Sequence, residues 1–155
     1  MEKADIEPDI YELTEQKAYS DNCKGKTICI LTFLPNIYDS NAEERIAYLK
    51  TLMKVAKKQR RNPFSFFWLQ AGDQLDLERQ LNLGFGFPAV VAVAPFKNKI
   101  STMKAAFDEK SYDSFLTDLI SGGASLEDFK QPLKFKKVQA WDGKDATPLE
   151  DVSLL

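Results

Sequence analysis

The run KTICILTFL, residues 26–34, carries apolar or β-branched side chains at odd and even positions alike. A strand that buries one face alternates in polarity, whereas one that is apolar on both parities has protein above and below it. Such a strand belongs in the middle of a sheet, and its parallel neighbours are reached only by helical crossovers. This one segment limits the chain to layered α/β folds.

The flanking segments supply the remaining parts. DIYELT (residues 9–14) has strand character, and EQKAYSDN leaves room for a short helix. SNAEERIAYLKTLMKVAKKQRR sets Ile46, Leu49, Leu52, Met53 and Ala56 at helical spacing. Ser40 is expected as its N-cap, with Glu43 completing a capping box. Lys57, Lys58, Arg60 and Arg61 suit the negative end of the helix dipole, and Asn62-Pro63 stops the helix.

FSFFWLQ (residues 64–70) reads as a second buried strand, with at most Trp68 reaching an edge. GDQLDLERQLNLG reads as a short helix, Asp73 its N-cap and Gly84 beyond its end. Residues 89–94 form a strand, and residues 99–107 alternate well enough for another, joined to the first by PFKN as an antiparallel hairpin. In SYDSFLTDLISGG, Tyr112, Phe115, Leu116, Leu119 and Ile120 share a helical face that Gly122 closes.

After Gly123 no periodicity remains. The expected organisation is an extension over 1–8, a folded domain over 9–123 and a loosely ordered tail over 124–155. The order βαβαβαββα then gives an α/β fold with a central mixed five-stranded sheet and helices on both faces.

Composition removes several functions. There is no histidine, so the commonest general base and zinc ligand are missing, and two cysteines make a poor metal site. No cofactor or metal is expected. A net charge of −2 gives no field for nucleic acid or an anionic membrane, and the basic run KKQRR is explained by its place at a helix end. The carboxylates show no acid–base or EF-hand spacing. No apolar stretch approaches the roughly 18–20 residues that span a bilayer. The opening MEKADIEPDI is not a signal peptide, which suits either a cytosolic chain or a piece of a longer secretory protein.

The element order is also the thioredoxin pattern. YELTE resembles the opening strand of protein disulfide isomerase domains, and GFP ahead of a strand resembles their cis-proline loop. CKGKTICILTFLPNIYDS, FFWLQAGDQLDLERQLNLGFGFPAVVAV and WDGKD resemble the carboxy-terminal, non-catalytic b domain of the P5-type protein disulfide isomerases. The resemblance implies a cis bond at Phe87-Pro88, where base rates alone, about 5–6% cis, favour trans. It also implies the endoplasmic reticulum lumen, a parent enzyme with catalytic domains elsewhere, unfolded or disulfide-containing client proteins, and a luminal Hsp70-type chaperone as partner. The final DVSLL departs from the family by lacking a luminal retention signal.

Catalytic members place a C-x-x-C pair at a helix N-terminus, where the dipole lowers the thiol pKa. Aligned on Pro35, those two positions carry Ile37 and Ser40, and Leu31 replaces the buried glutamate that moves protons. Thiol exchange at that place is excluded. Cys23 and Cys29 remain. A bridge between them needs a turn at Gly25 to bring their Cα atoms within about 4.4–6.8 Å, and would contribute about 2 kcal/mol. A structural disulfide suits the oxidising compartment that the resemblance implies; two free thiols and a redox couple stay open.

The other candidates concern binding. Pro35, Ile37 and Tyr38 fall in the loop after the central strand, and Phe85 and Phe87 in the glycine loop before Pro88. Open α/β sheets bind partners at that edge, and exposed apolar groups there can hold unfolded segments. The glycine loop lies between a helix and a strand, which is the wrong order for a nucleotide fingerprint. Two rival expectations are a thiol oxidoreductase acting through Cys23 and Cys29, and a purely structural interdomain brace.

Overall fold

The computed structural model describes residues 7–129 and 132–147. Its elements are β1 (Ile10–Glu12), α1 (Gln16–Asn22), β2 (Ile28–Leu34), α2 (Ala42–Lys58), β3 (Phe64–Gln70), α3 (Leu75–Gln80), β4 (Ala89–Ala94), β5 (Lys99–Thr102), α4 (Glu109–Ser121) and β6 (Glu127–Asp128). The strands lie in the order β1-β3-β2-β4-β5-β6. The first three are parallel, and β4, β5 and β6 continue antiparallel. The thioredoxin-like order holds, with six strands rather than five. The extra one comes from beyond α4, where Lys99 pairs in register with Asp128 and their side chains form an ion pair.

The double parity of β2 does what it requires. Cys29, Leu31 and Phe33 point into one layer with Phe67 and Leu69 of β3 and Val91 and Val93 of β4, under α1 and α3. Ile30 and Leu34 point into the other with Phe66, Trp68, Val90 and Ala92, where α2 adds Leu52, Val55 and Ala56 and α4 adds Tyr112 and Leu116. Thr32 meets the Tyr112 hydroxyl at 2.7 Å in that second layer. Each satisfies the other's buried oxygen, and burial pushes the phenol well above its usual range.

Several local expectations shift. Asn41, not Ser40, caps α2: its Oδ1 accepts from Glu44 N–H at 2.8 Å while its Nδ2 donates to Glu44 Oε1 at 3.0 Å. The capping box thus forms one residue later, because a 3-10 turn at Ile37–Asp39 uses Ser40, whose Oγ–H donates to the Asn36 carbonyl. Asp73 does not cap α3 but accepts from Gln70 Nε2, and Gln74 begins the helix without a side-chain cap. β5 ends at Thr102 instead of 107, since the chain leaves the sheet once Met103 N–H has reached the Val90 carbonyl. Ile46 and Ile120 stand 42% and 45% exposed, because α2 and α4 meet the sheet along narrower stripes than spacing suggests.

The expectation of a loosely ordered tail does not fit the described residues past 123. Leu133 and Phe135 are buried in the layer under α1 and α3, two positions apart with Lys134 outward between them, as in an extended chain. Phe135 packs on Tyr19 with ring centroids 4.9 Å apart. Gln16 donates to the Leu133 carbonyl and accepts from Phe135 N–H; Gln74 does the same for Lys136 at 2.8 Å in both directions. Two glutamine side chains read the passing backbone as a sheet neighbour would, so no helical period is needed to hold it.

Candidate functional site

The loop after β2 ends the central strand between two unlike surfaces. On one side lies Arg45, carried in by the first turns of α2 and only 1% exposed. Its Nη2 donates to the Pro35 carbonyl at 2.7 Å and to Gln70 Oε1 at 2.8 Å, and the same Gln70 oxygen accepts from Ile37 N–H at 3.0 Å. The guanidinium lies 5.3 Å from the Trp68 ring and 5.1 Å from that of Trp141, and the two indoles meet edge to face. A desolvated cation–π contact contributes about 2 kcal/mol. Among the described residues Arg45 Nε is the buried side-chain nitrogen left without a hydrogen bond. Trp68 reaches no edge; it is 6% exposed, beneath this stack.

The tail closes this side. Trp141 N–H donates to Glu12 Oε2 at 2.8 Å and its indole N–H to the Lys144 carbonyl. Burial holds the Glu12 carboxyl above its ordinary range, against the opposing pull of the Trp141 amide and Arg45. The Asp145 carboxylate accepts from Ala42 N–H, the first residue of α2, at 2.6 Å. A helix N-terminus favours an anion. The resemblance puts a reactive thiolate at this helix end in catalytic members; here the tail's own carboxylate takes it. Ile37 lies in the 3-10 turn, Ser40 bonds Asn36, and Leu31 is fully buried among apolar side chains. These three positions hold neither sulfur nor a proton carrier, so they perform no thiol exchange.

The other side is open. Phe87-Pro88 is cis, and Gly86 sits at φ +116 with nothing within 4 Å of the Cβ it lacks. Backbone conformation, not crowding, requires glycine there. No hydrogen bond engages the Phe87 N–H or carbonyl among the described residues. A cleft of about 660 Å³ runs from Pro35 and Tyr38 past Tyr48 and Leu75 to Phe87. Beyond Phe87 an adjoining groove of about 540 Å³ is floored by Phe85, Met103 and Phe107. Tyr38, Leu75 and Phe85 are 62%, 51% and 58% exposed.

The five binding candidates are therefore divided. Pro35, Tyr38 and Phe87 share the cleft, Phe85 joins Phe87 in the groove, and Ile37 lies apart in a polar pocket with Arg45 and Trp141. Leu75 and Phe107 were not anticipated. Leu75 carries a signal in being apolar yet out of step with the buried Leu77 and Leu81; Phe107 reads as strand.

Cys23 and Cys29 form a disulfide with Cα atoms 5.9 Å apart, the chain turning at Gly25 with φ +61. Cys23 caps the end of α1 half-buried, and Cys29 is fully buried in β2. At about 3.3 Å per residue the bridge stands about 20 Å from Pro35, at the opposite end of the strand. Among the described residues no cluster of acidic or cysteine side chains could hold a metal, and no helix is long and apolar enough to cross a membrane.

Sheet order, crossovers and the cis-proline loop define a thioredoxin-like domain. The bb fragment of ERp72 superposes with TM-score 0.59 at 13% identity, over 75% of this chain and 50% of that one. The thioredoxin-like domain of Arabidopsis NCP gives 0.59 at 15%, over 86% and 97%. Residues 1–124 match the family described as PDIA6-like, C-terminal thioredoxin-like domain, and the chain belongs to that family. Protein disulfide-isomerase like 2-2 of Arabidopsis thaliana is 37% identical over 88% of the chain, and the protein disulfide-isomerase A6 homolog of Caenorhabditis elegans 37% over 93%. Human protein disulfide-isomerase A6 is 32% identical over 93%. The chain spans about a third of the length of these relatives, 31–34%.

Proposed function

We propose that this domain is a redox-inactive binding module of an isomerase, holding extended apolar segments of unfolded client proteins beside the cis-proline loop. The observation that carries this reading is the open surface around Phe87: exposed aromatic and aliphatic side chains flank a backbone N–H and carbonyl without partners among the described residues. An extended segment pairs with such a backbone as an added strand, and the flanking rings cover its side chains. The vacated thiol positions and the carboxylate at the start of α2 support binding without chemistry. The domain works in the endoplasmic reticulum lumen within a longer parent that carries the catalytic pairs, alongside an Hsp70-type chaperone.

The test is a titration of isotope-labelled domain with an unfolded, aromatic-rich peptide. Amide shifts concentrated at Gly86, Phe87 and the loop after β2 support the module; silence there leaves only an interdomain brace. A second reading rests on the disulfide, because Cys23, unlike Cys29, is only half-buried, and an outside thiolate would attack from its side. Against it, the departing Cys29 thiolate would be stranded in the core, where burial disfavours it. Insulin reduction that disappears in Cys23→Ala would establish that reading, and no turnover supports the module.

A further inference from the structure

The two hollows that meet at Phe87 differ in charge. Every charged residue lining the cleft is acidic, namely Asp39, Glu44 and Glu78. The groove has one charged residue, Lys104, whose ammonium lies 5.7 Å over the Phe85 ring. Glu78 is nearly buried and committed to Gly72 N–H at 2.8 Å, so it contributes field rather than contact. Asp39 and Glu44 are exposed, and Glu44 bonds Asn41 through Oε1 alone. A ligand crossing Phe87 therefore passes from an aromatic floor under a cation to an apolar wall rimmed with carboxylates.

From this we infer the class of segment the site takes, resting on the binding reading above: an extended peptide with an aromatic or large aliphatic residue and, two positions away, a lysine or arginine. Side chains two apart on an extended chain point the same way, about 7 Å from one another. Tyr48, which lines the cleft, has its ring 5.5 Å from that of Phe107, and Glu44 stands one helical turn before it, so a pair at that spacing sets one side chain in the groove and directs the longer, cationic one toward the rim at Asp39 and Glu44. Exposed ion pairs add little affinity, so the charge sets preference and direction while the apolar contacts hold the segment.

Three labelled nonapeptides that differ at one position test this by fluorescence anisotropy: Phe-Ser-Lys, Phe-Ser-Ser and Phe-Ser-Glu centres in a neutral background. The lysine peptide is expected to bind about 2- to 5-fold tighter than the serine peptide, and the glutamate peptide more weakly still. In Asp39→Asn/Glu44→Gln the three converge to within about 2-fold, as they do when salt is raised to about 0.5 M and the screening length falls to a few ångströms. The single Asp39→Asn, which leaves the α2 capping box intact, narrows the spread by part of that amount. Equal binding of the three at low salt, or a lysine preference that survives in the double variant, overturns the inference while binding itself stands. Absence of binding by any of the three overturns the module reading along with it.

Discussion

Two surfaces share the loop after β2 and part company at Tyr38. Toward Arg45 the polar groups are spent on one another. The guanidinium holds Pro35 and Gln70, Gln70 holds Ile37, Glu12 holds Trp141, and Asp145 holds the first amide of α2. Toward Phe87 apolar side chains stand in solvent beside a peptide group that no hydrogen bond engages among the described residues. The same end of one strand is thus closed by its own chain on one side and open on the other. The shape of the open side does not depend on thiol chemistry next door: the cis bond and Gly86 form it, while the closed side is held by a guanidinium, two indoles, a glutamine and two carboxylates.

The contrast breaks most readily at Arg45. Arg45→Ala leaves the Pro35 carbonyl without its donor, takes one of the two bonds from Gln70 Oε1 and removes the cation beside the indoles, at a cost of about 3–5 kcal/mol in urea unfolding. If the closed side is as autonomous as described, the Phe87 amide shifts of the folded fraction stay in place. Phe135→Ala empties the tail's main anchor against Tyr19 and costs about 3 kcal/mol, a value that a merely draped tail would not produce. Cys23→Ala opens the short loop and costs about 2 kcal/mol, measured against wild type under oxidising conditions.

Asp145→Ala unsatisfies one exposed helix-end amide and costs about 1 kcal/mol; thermal melts resolve it if Trp141 fluorescence is followed. The smallest effect is in pH. Burial raises the Glu12 pKa in the fold, so its protonated form is favoured there. Its contribution is fully present below the unfolded pKa and is lost as pH rises through the folded one. Melting midpoints compared between wild type and Glu12→Gln should therefore move in favour of wild type as pH falls from neutral toward that of free glutamate. A constant difference would show that Glu12 is indifferent to its surroundings.

Much of the scaffold was legible in residue order. The double parity of residues 26–34 located the central strand, and FSFFWLQ and AVVAVA matched β3 and β4 residue for residue, whereas α2 ends at Lys58, ahead of Arg60, Arg61 and the Asn62-Pro63 stop, because Gln59 already closes it. These are local signals. Arg45 left none, because an arginine in the second turn of a helix reads as solvated and its partners Gln70, Trp68 and Trp141 are scattered over nearly a hundred positions. The docking of residues 133–136 is hidden from the sequence for a related reason. Leu133 and Phe135 repeat at two rather than at helical spacing, and the glutamines that hold them lie on α1 and just ahead of α3. Of the binding candidates, those set by the ends of β2 and β4 met at Phe87, whereas Ile37 turned away because the 3-10 turn rotates it past the strand axis.

The insertion of Leu133 and Phe135 bears on where such a domain can be cut. The match to the family model covers residues 1–124, and a recombinant fragment ended there would be missing two plugs from its hydrophobic interior. Tyr19 and Phe67 would then face water through the gap. Stickiness in that truncated piece, toward any denatured protein, would report the cutter's choice of boundary rather than recognition by the cis-proline side.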